Sequence, residues 1–254
     1  KRDPNGEPDS SFGSQGTALL PTVEGDSLQG NQVVEEGDWL VVVSSGMTQG
    51  EKTLAIQRFD RATGALDLEF GTDGVAAFGP RELIGNSLSK ELYPFGLAVD
   101  DAGRIYFGAS PSYWDAPDLL VRLTPAGKLD PDFGDAGVIA VNVPRNQCMP
   151  FEKLARTPSA TYLYSHDCIR KYDFSGRLEY QRKYVNRGGN LTTIFSSSAG
   201  QAFVAIGNDS DVIKRILKLD VSGDLSPAFG ANGNLPSYPE APDLAVKFVQ
   251  FDSE

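Results

Sequence analysis

Hydrophobic positions along this chain fall in short runs rich in Tyr, Phe, Val and Ile, and each run is bounded by Gly, Pro, Asp or Asn. That pattern predicts strands joined by turns. Residues 97–141 show the unit most clearly. Leu97-Ala98-Val99 predicts a first strand, Asp100-Asp101-Ala102-Gly103 a turn, Ile105–Gly108 a second strand, Leu119–Leu123 a third and Val138–Val141 a fourth. We label these positions A to D. The same order is predicted in 32–78, with A near Gln32–Glu35, B at Trp39–Ser44, C at Leu54–Phe59 and D at Val75–Phe78. In 153–185 it falls at Lys153–Arg156, Tyr162–Ser165, Ile169–Tyr172 and a degraded D around Glu179–Val185. In 192–238 it falls at Thr192–Ser196, Phe203–Ile206, Ile213–Leu219 and Leu235–Tyr238.

Between C and D lies a recurring motif, G-x-[LP]-[DS]-x-x-F-G-x-x-G. Its copies begin at Gly6, Gly64, Gly127 and Gly223, and a worn copy at Gly176 carries Arg182 where the others carry Phe. The leading glycines lie 47 to 63 residues apart, a period that signals a repeat architecture. Glycine at the first and last positions permits positive φ, Asp or Ser braces the turn, and the Phe is placed to plug the space between neighbouring repeats. The motif is thus read as scaffold. Four antiparallel strands per repeat predict an all-β fold, a β-propeller of about five blades. Leu244–Asp252 reads as a fifth A strand, Lys1–Asp3 as the close of a C strand and Thr17–Thr22 as a D strand. Residues 244–254 with 1–22 then supply most of a fifth blade, lacking its B strand and the bulk of C, so the ring is closed by both termini within a single domain, 1–254. A longer propeller cut arbitrarily is the alternative.

At this point the chain resembles the delta-60 repeat proteins of bacteria, whose pattern is close to A-x-x-x-D-G-K-[IV]-x-[VF]-x-G followed by R-[FL]-x-x-x-G-x-L-D-x-x-F-G-x-x-G. Ala98–Gly108 fits the first part, and Arg58-Phe59 and Arg122-Leu123 fit the start of the second. The resemblance covers nearly the whole chain and weakens over 169–185. It implies a secreted or envelope-associated β-propeller and brings no catalytic motif with it.

Composition narrows the partners. A net charge of −11 without a basic patch disfavours nucleic acid and anionic membrane surfaces. No run approaches the roughly 18 apolar residues of a membrane helix, and no stretch resembles a signal peptide. The chain opens on Lys1 rather than Met, which leaves room for a leader ahead of it. The two cysteines are Cys148 and Cys168. With an A–B turn at Thr157–Ala160, antiparallel pairing places them across from one another just beyond the strands. A disulfide there argues for the periplasm, cell surface or exterior, whereas two free buried thiols would not.

Chemistry is sparse. The single His166 limits triads and zinc sites, and phosphate-loop, nucleophile-elbow and zincin motifs are absent from the sequence. No cofactor is expected. The weak exception is calcium, because Asp3, Asn5, Glu7 and Asp9 alternate and Asn208, Asp209 and Asp211 crowd a loop. The B–C and D–A connections share one face and include Gly46–Glu51, Arg81–Phe95, Ser110–Asp118, Asn142–Glu152, His166-Asp167, Asn186–Leu191 and Asn208–Asp211. Long loops on a rigid scaffold concentrate function. Tyr93, Tyr113, Trp114, Arg145, Asn146, His166, Arg187 and Asn190 are the candidate ligand-binding groups on that face, suited to sugars, peptides or carboxylates; packing of loop on loop is the plain alternative. The expected function is a non-catalytic binding or interaction module whose partner is a small molecule, glycan or protein. The rival is a propeller enzyme, a lactonase, lyase or glycan-active hydrolase, with acids in the central channel. Glu35, Glu36, Asp38 and Asp100 are the acids an enzyme would use.

Overall fold

The computed structural model describes residues 1–21, 28–48, 51–85, 91–112, 116–143, 147–158, 160–184, 190–196, 201–207, 213–230 and 234–235. The chain divides into two compact units, Lys1–Asn142 and Val143–Glu254.

In the first unit, β1 (Gln29–Glu36), β2 (Trp39–Thr48), β3 (Glu51–Asp60) and β4 (Val75–Phe78) form one antiparallel sheet in chain order. Helix α1 (Pro80–Ile84) follows, and then β5 (Leu92–Val99), β6 (Ile105–Pro111), β7 (Asp118–Leu123) and β8 (Val138–Val141) form a second. The stretch Arg81–Phe95, expected as loop, thus contains a helical turn and the first half of a strand. Gly79 and Pro80 start the helix, and the Glu82 carboxylate accepts the Gly79 N–H at 2.8 Å. β5 is prolonged because β6 supplies a partner as far as Leu92, which faces Pro111.

Alternation decides how these two sheets meet. Val41 and Val43 on β2, and Leu54 and Ile56 on β3, share one face of the first sheet. They join Leu97, Phe107, Leu119 and Val121 of the second in one buried cluster, with the Phe78 and Phe107 rings 6.4 Å apart. The first strands, β1 and β5, lie beside one another. Behind the cluster, Ser44 and Gln57 are both fully buried and satisfy each other, Gln57 Nε2 donating to Ser44 Oγ at 2.8 Å.

The second unit repeats the plan. β9 (Lys153–Thr157), β10 (Ala160–Tyr164), β11 (Cys168–Tyr172) and β12 (Leu178–Lys183) form one sheet. β13 (Asn190–Ser196), β14 (Ala202–Gly207), β15 (Ile213–Lys218) and β16 (Asn234–Leu235) form the other, and β9 lies beside β13. Lys153 Nζ donates across that pair to the Thr192 carbonyl at 2.9 Å. β12, read as degraded, pairs with β11 along its length. Register irregularities recur at one place in the first strand of three sheets, between Gly30 and Gln32, Phe95 and Leu97, and Leu191 and Thr193. Such bulges bend a strand without breaking its sheet.

The terminal pieces are less regular than expected. Lys1–Asp3 contributes one bridge, Arg2 to Pro8, and in Thr17–Thr22 the described residues form only the bridge from Ser14 to Thr17. A strand needs a partner on which to ladder, and these residues have none among the described ones. Leu244–Asp252 lies outside the described residues.

The repeated motif is a lock. Phe12 lies over Gly64 and Phe70 over Gly127, so these two phenylalanines rest on the leading glycine of the following copy. A Cβ on Gly127 would stand 2.9 Å from Phe70 Cζ. The backbones join there as well: Gly13 N–H donates to the Thr63 carbonyl at 2.7 Å and Gly71 N–H to the Ala126 carbonyl at 3.0 Å. In the worn copy Arg182 does not take the Phe position. Tyr180, two residues earlier and on the same face of β12, covers Gly223 instead.

A cation completes each lock. Arg58 pairs with Asp67 at 2.5 Å and Arg122 with Asp130 at 2.8 Å, while Lys1–Asp9 at 3.1 Å and Lys171–Glu179 at 2.8 Å repeat the arrangement. The same cations lie over the lock aromatics, Arg58 over Phe70 at 5.0 Å and Arg122 over Phe133 at 4.5 Å. Lys171 lies over Tyr180 at 5.8 Å.

Three copies of the motif end in a two-residue hairpin turn with both central residues left-handed: Gln15-Gly16, Asp73-Gly74 and Ala136-Gly137. Paired bonds close it, Asp135 N–H to the Val138 carbonyl at 2.8 Å and Val138 N–H to the Asp135 carbonyl at 3.1 Å. This geometry matches the twist of the flanking strands and favours Asn-Gly or Asp-Gly. Ala136, at φ 47°, carries a Cβ penalty that Asn tolerates better. Ala136→Asn is therefore expected to stabilise by about 0.5–1 kcal/mol, read as a thermal midpoint raised by roughly 1–4 °C.

Candidate functional site

In both units the B–C turns and the starts of the A strands gather at one end of their sheets. In the first unit that end holds Tyr93, which lies on β5 opposite Ser110 rather than in a loop. Its hydroxyl donates to Glu91 Oε2 at 2.8 Å, a bond that with burial raises the phenol's pKa. Lys52 Nζ stands over the ring, 3.7 Å from its centre. Residues 52 and 91 form a parallel bridge, so the chain returning from α1 is sewn to the start of β3. Met47, facing Lys52 across the β2–β3 pair, is 48% exposed, and Tyr93 is 44% exposed.

Alongside runs a groove of about 820 Å³ between α1 and the outer edge of the second sheet. Its floor is Leu83, Ile84, Leu119, Leu129, Val138 and Ala140, and Arg81, Glu82 and Asp135 mark its rim. Arg81 pairs with Glu51 at 3.6 Å, which links the groove to the neighbourhood of Lys52.

In the second unit the His166-Asp167 turn is a hub. The His166 carbonyl accepts the Leu191 N–H at 2.9 Å, the Asp167 carbonyl the Tyr184 N–H at 2.7 Å, and the Asp167 carboxylate the Met149 N–H at 3.1 Å. Burial acts against the Asp167 anion, but the Met149 N–H together with Ser165 and Lys183 outweighs it and lowers its pKa. The His166 ring is 41% exposed, 3.7 Å from Glu152. Asn190 opens β13 opposite Gly207 and is brought next to His166 by the Leu191 bond.

Cys148 and Cys168 form a disulfide with their Cα atoms 5.7 Å apart. The β9–β10 register, Ala160 on Thr157 through Tyr164 on Lys153, places them as the turn position implies. The bridge ties residues 147–152 to the start of β11. Replacing both cysteines with serine is expected to cost about 3 kcal/mol, the chain-entropy scale for a loop of this size, seen as a lower urea midpoint. Tyr113, Trp114, Arg145, Asn146 and Arg187 lie outside the described residues, as does the Asn208–Asp211 cluster.

Several of the remaining acids brace the scaffold. The Asp3 carboxylate accepts the backbone N–H of Asn5 and Glu7, each at 2.9 Å, bracing the turn before Gly6. Asp173 and Asp220 brace the equivalent turns. Ser11, first by its hydroxyl, and Lys1 hold Asp9 down at about 2. Asp173 also sits at about 2: burial opposes this, but the Ser175 hydroxyl and the Arg177 contacts prevail. Asp100, 2% exposed, accepts the N–H groups of Ala102 and Arg104 and pairs with Arg104 Nε at 2.7 Å, so it braces an A–B turn. Glu35 is engaged by Arg61. Among the described residues no group of three or more His, Cys, Asp or Glu is placed to hold a metal ion. Desolvation in the second core pushes Tyr162 up to about 12 and raises Tyr180 as well.

Sequence reasoning missed the cations Lys1 and Lys171 and the aromatic Tyr180. The signal was present as a basic residue eight or nine positions before each motif acid.

No protein-family model matches the chain, and no curated protein matches it. Among solved structures it is similar to a protein of unknown function from Bacteroides caccae, with 11% identity, a TM-score of 0.43 and coverage of 81% of this chain. The chain spans 61% of that protein's length. It is also similar to regucalcin, a calcium-binding protein from Agrobacterium tumefaciens, at 9% identity and TM-score 0.41, covering 83% of this chain and 78% of the other. An α-L-arabinofuranosidase from Podospora anserina follows at 11% identity and TM-score 0.38, covering 82% and 70%. Likenesses this remote assign no activity.

Proposed function

We propose that the chain is a β-propeller of about five blades, its ring closed by segments from both termini, acting as a non-catalytic binding module of the bacterial envelope or exterior. Repetition of the lock in successive copies, and first strands set side by side within each unit, support the blade arrangement. A disulfide between two buried cysteines supports an oxidising compartment, in keeping with the delta-60 resemblance. No helix among the described residues is long and apolar enough to cross a membrane.

One observation carries the binding reading. The described carboxylates with lowered pKa, Asp167 beside His166 included, hold turns and locks together, and the exposed ring of Tyr93 and the His166 ring stand at the loop-rich ends of their sheets. A catalytic site would set perturbed acids in a cleft.

The test is a glycan and peptide array probed with the whole chain, run beside hydrolysis assays on lactones and glycosides. Saturable capture without turnover is expected. Turnover of any of these substrates would replace the binding module with the enzyme reading.

A further inference from the structure

The Tyr93 cluster has a chemistry of its own, which narrows the ligand. Tyr93 is held from two sides, by its hydroxyl on Glu91 at 2.8 Å and by Lys52 Nζ at 3.7 Å from the ring centre. A ring held in this way loses little rotamer freedom when something lands on it. Lys52 lies over the ring, and Tyr93 is still 44% exposed. The charges on the ring balance: Lys52 is a cation and Glu91 an anion, and the two residues are bridged.

That balance selects against ions. An anionic ligand meets the Glu91 carboxylate at close range and a chain of net charge −11 at long range. A cationic ligand finds the ring's quadrupole already engaged by Lys52. What remains is a neutral molecule with an apolar face for the ring and hydroxyls able both to donate to Glu91 and to accept from Lys52. Exposed Met47, opposite Lys52 on β2, widens the apolar contact.

We infer that Tyr93, with Lys52 and Glu91, forms a subsite for a neutral saccharide, its ring stacking on Tyr93. The inference rests on the reading of the loop-rich end as a binding surface and names the ligand class.

The experiment is calorimetric titration of the whole chain with neutral trisaccharides of glucose, xylose, mannose, galactose and N-acetylglucosamine, at low and high salt. At least one is expected to bind saturably, with affinity little changed by salt because no ion pair forms. Tyr93→Ala is expected to weaken it at least about tenfold, as loss of an aromatic anchor does, with the thermal midpoint of the parent retained. Tyr93→Thr, which keeps a β-branched residue on β5, serves as the second variant and is expected to show the same loss. Binding of no trisaccharide, or equal binding by both variants, overturns the inference. Sugar binding that ignores Tyr93 sinks this subsite while leaving the loop-face reading intact. Peptide capture on the array that requires Tyr93 overturns the sugar class and likewise spares the broader reading.

Discussion

Asp130→Ala is expected to destabilise the first unit by about 3–5 kcal/mol, measured as a drop in urea midpoint with the slope unchanged. The Arg122 side chain is 2% exposed and that of Asp130 7%, so neither charge is solvated by water. Arg122 Nε lies 2.8 Å from the carboxylate, and the guanidinium sits over the Phe133 and Tyr106 rings at 4.5 and 5.9 Å. Removing the carboxylate takes a buried ion-pair partner at 2.8 Å from a guanidinium packed on aromatic rings, and the lost pairing is the source of the loss. The carboxylate also accepts the Asp132 N–H at 3.1 Å, so the turn loses a brace. Asp130→Asn keeps that brace and is expected to fall between parent and alanine. Changing the pair together, Arg122→Met with Asp130→Leu, removes both charges and is expected to recover most of the loss. A double variant as unstable as Asp130→Ala would show that the turn geometry, rather than the lost ion pair, sets the cost.

Phe70→Ala is expected to cost a similar 3–5 kcal/mol, because a fully buried ring leaves a cavity that its neighbours cannot fill. Its partner position tests the lock from the other side. Gly127 has φ +77°, and an added Cβ would meet Phe70 Cζ at 2.9 Å and the Gly71 nitrogen at 3.1 Å. Gly127→Ala therefore combines backbone strain with overpacking, together about 2–4 kcal/mol. If the two positions form one lock, the double variant costs less than the sum, since the new methyl occupies space the ring vacated. Strict additivity in chemical denaturation would mean that ring and glycine act independently.

These experiments follow from contacts that sequence reveals only in part. The strands β4 (Val75–Phe78) and β8 (Val138–Val141) fall at the residues their hydrophobic runs predict, and the glycine-bracketed motif marks where each chain turn lies. Both are local: alternation needs only a face to bury, and a left-handed turn needs only the right residue. The disulfide was legible for the same reason, since a hairpin's register follows from its turn. Tyr93 was legible as an exposed aromatic but not as a strand residue. Its place on β5 depends on β6 reaching far enough to pair with Leu92.

The locks show where legibility stops. Arg58 and Arg122 stand out in the repeat pattern, yet their burial against Asp67 and Asp130 comes from sheets packing over them. Tyr180 replaces a phenylalanine two residues downstream because side chains alternate along β12, so either position reaches the same face. Only the approach of Gly223 decides which one is used.

By itself, then, the amino-acid order determined the strands, the turns and the repeat, because hydrophobic alternation and glycine's backbone freedom act within a few residues. Tertiary structure alone decided which aromatic covers which glycine, which ion pairs lose water, and that Tyr93 is gripped between Lys52 and Glu91. Those outcomes depend on surfaces brought together from distant parts of the chain, where the shape and charge of the second surface select among side chains that the local pattern treats as equivalent.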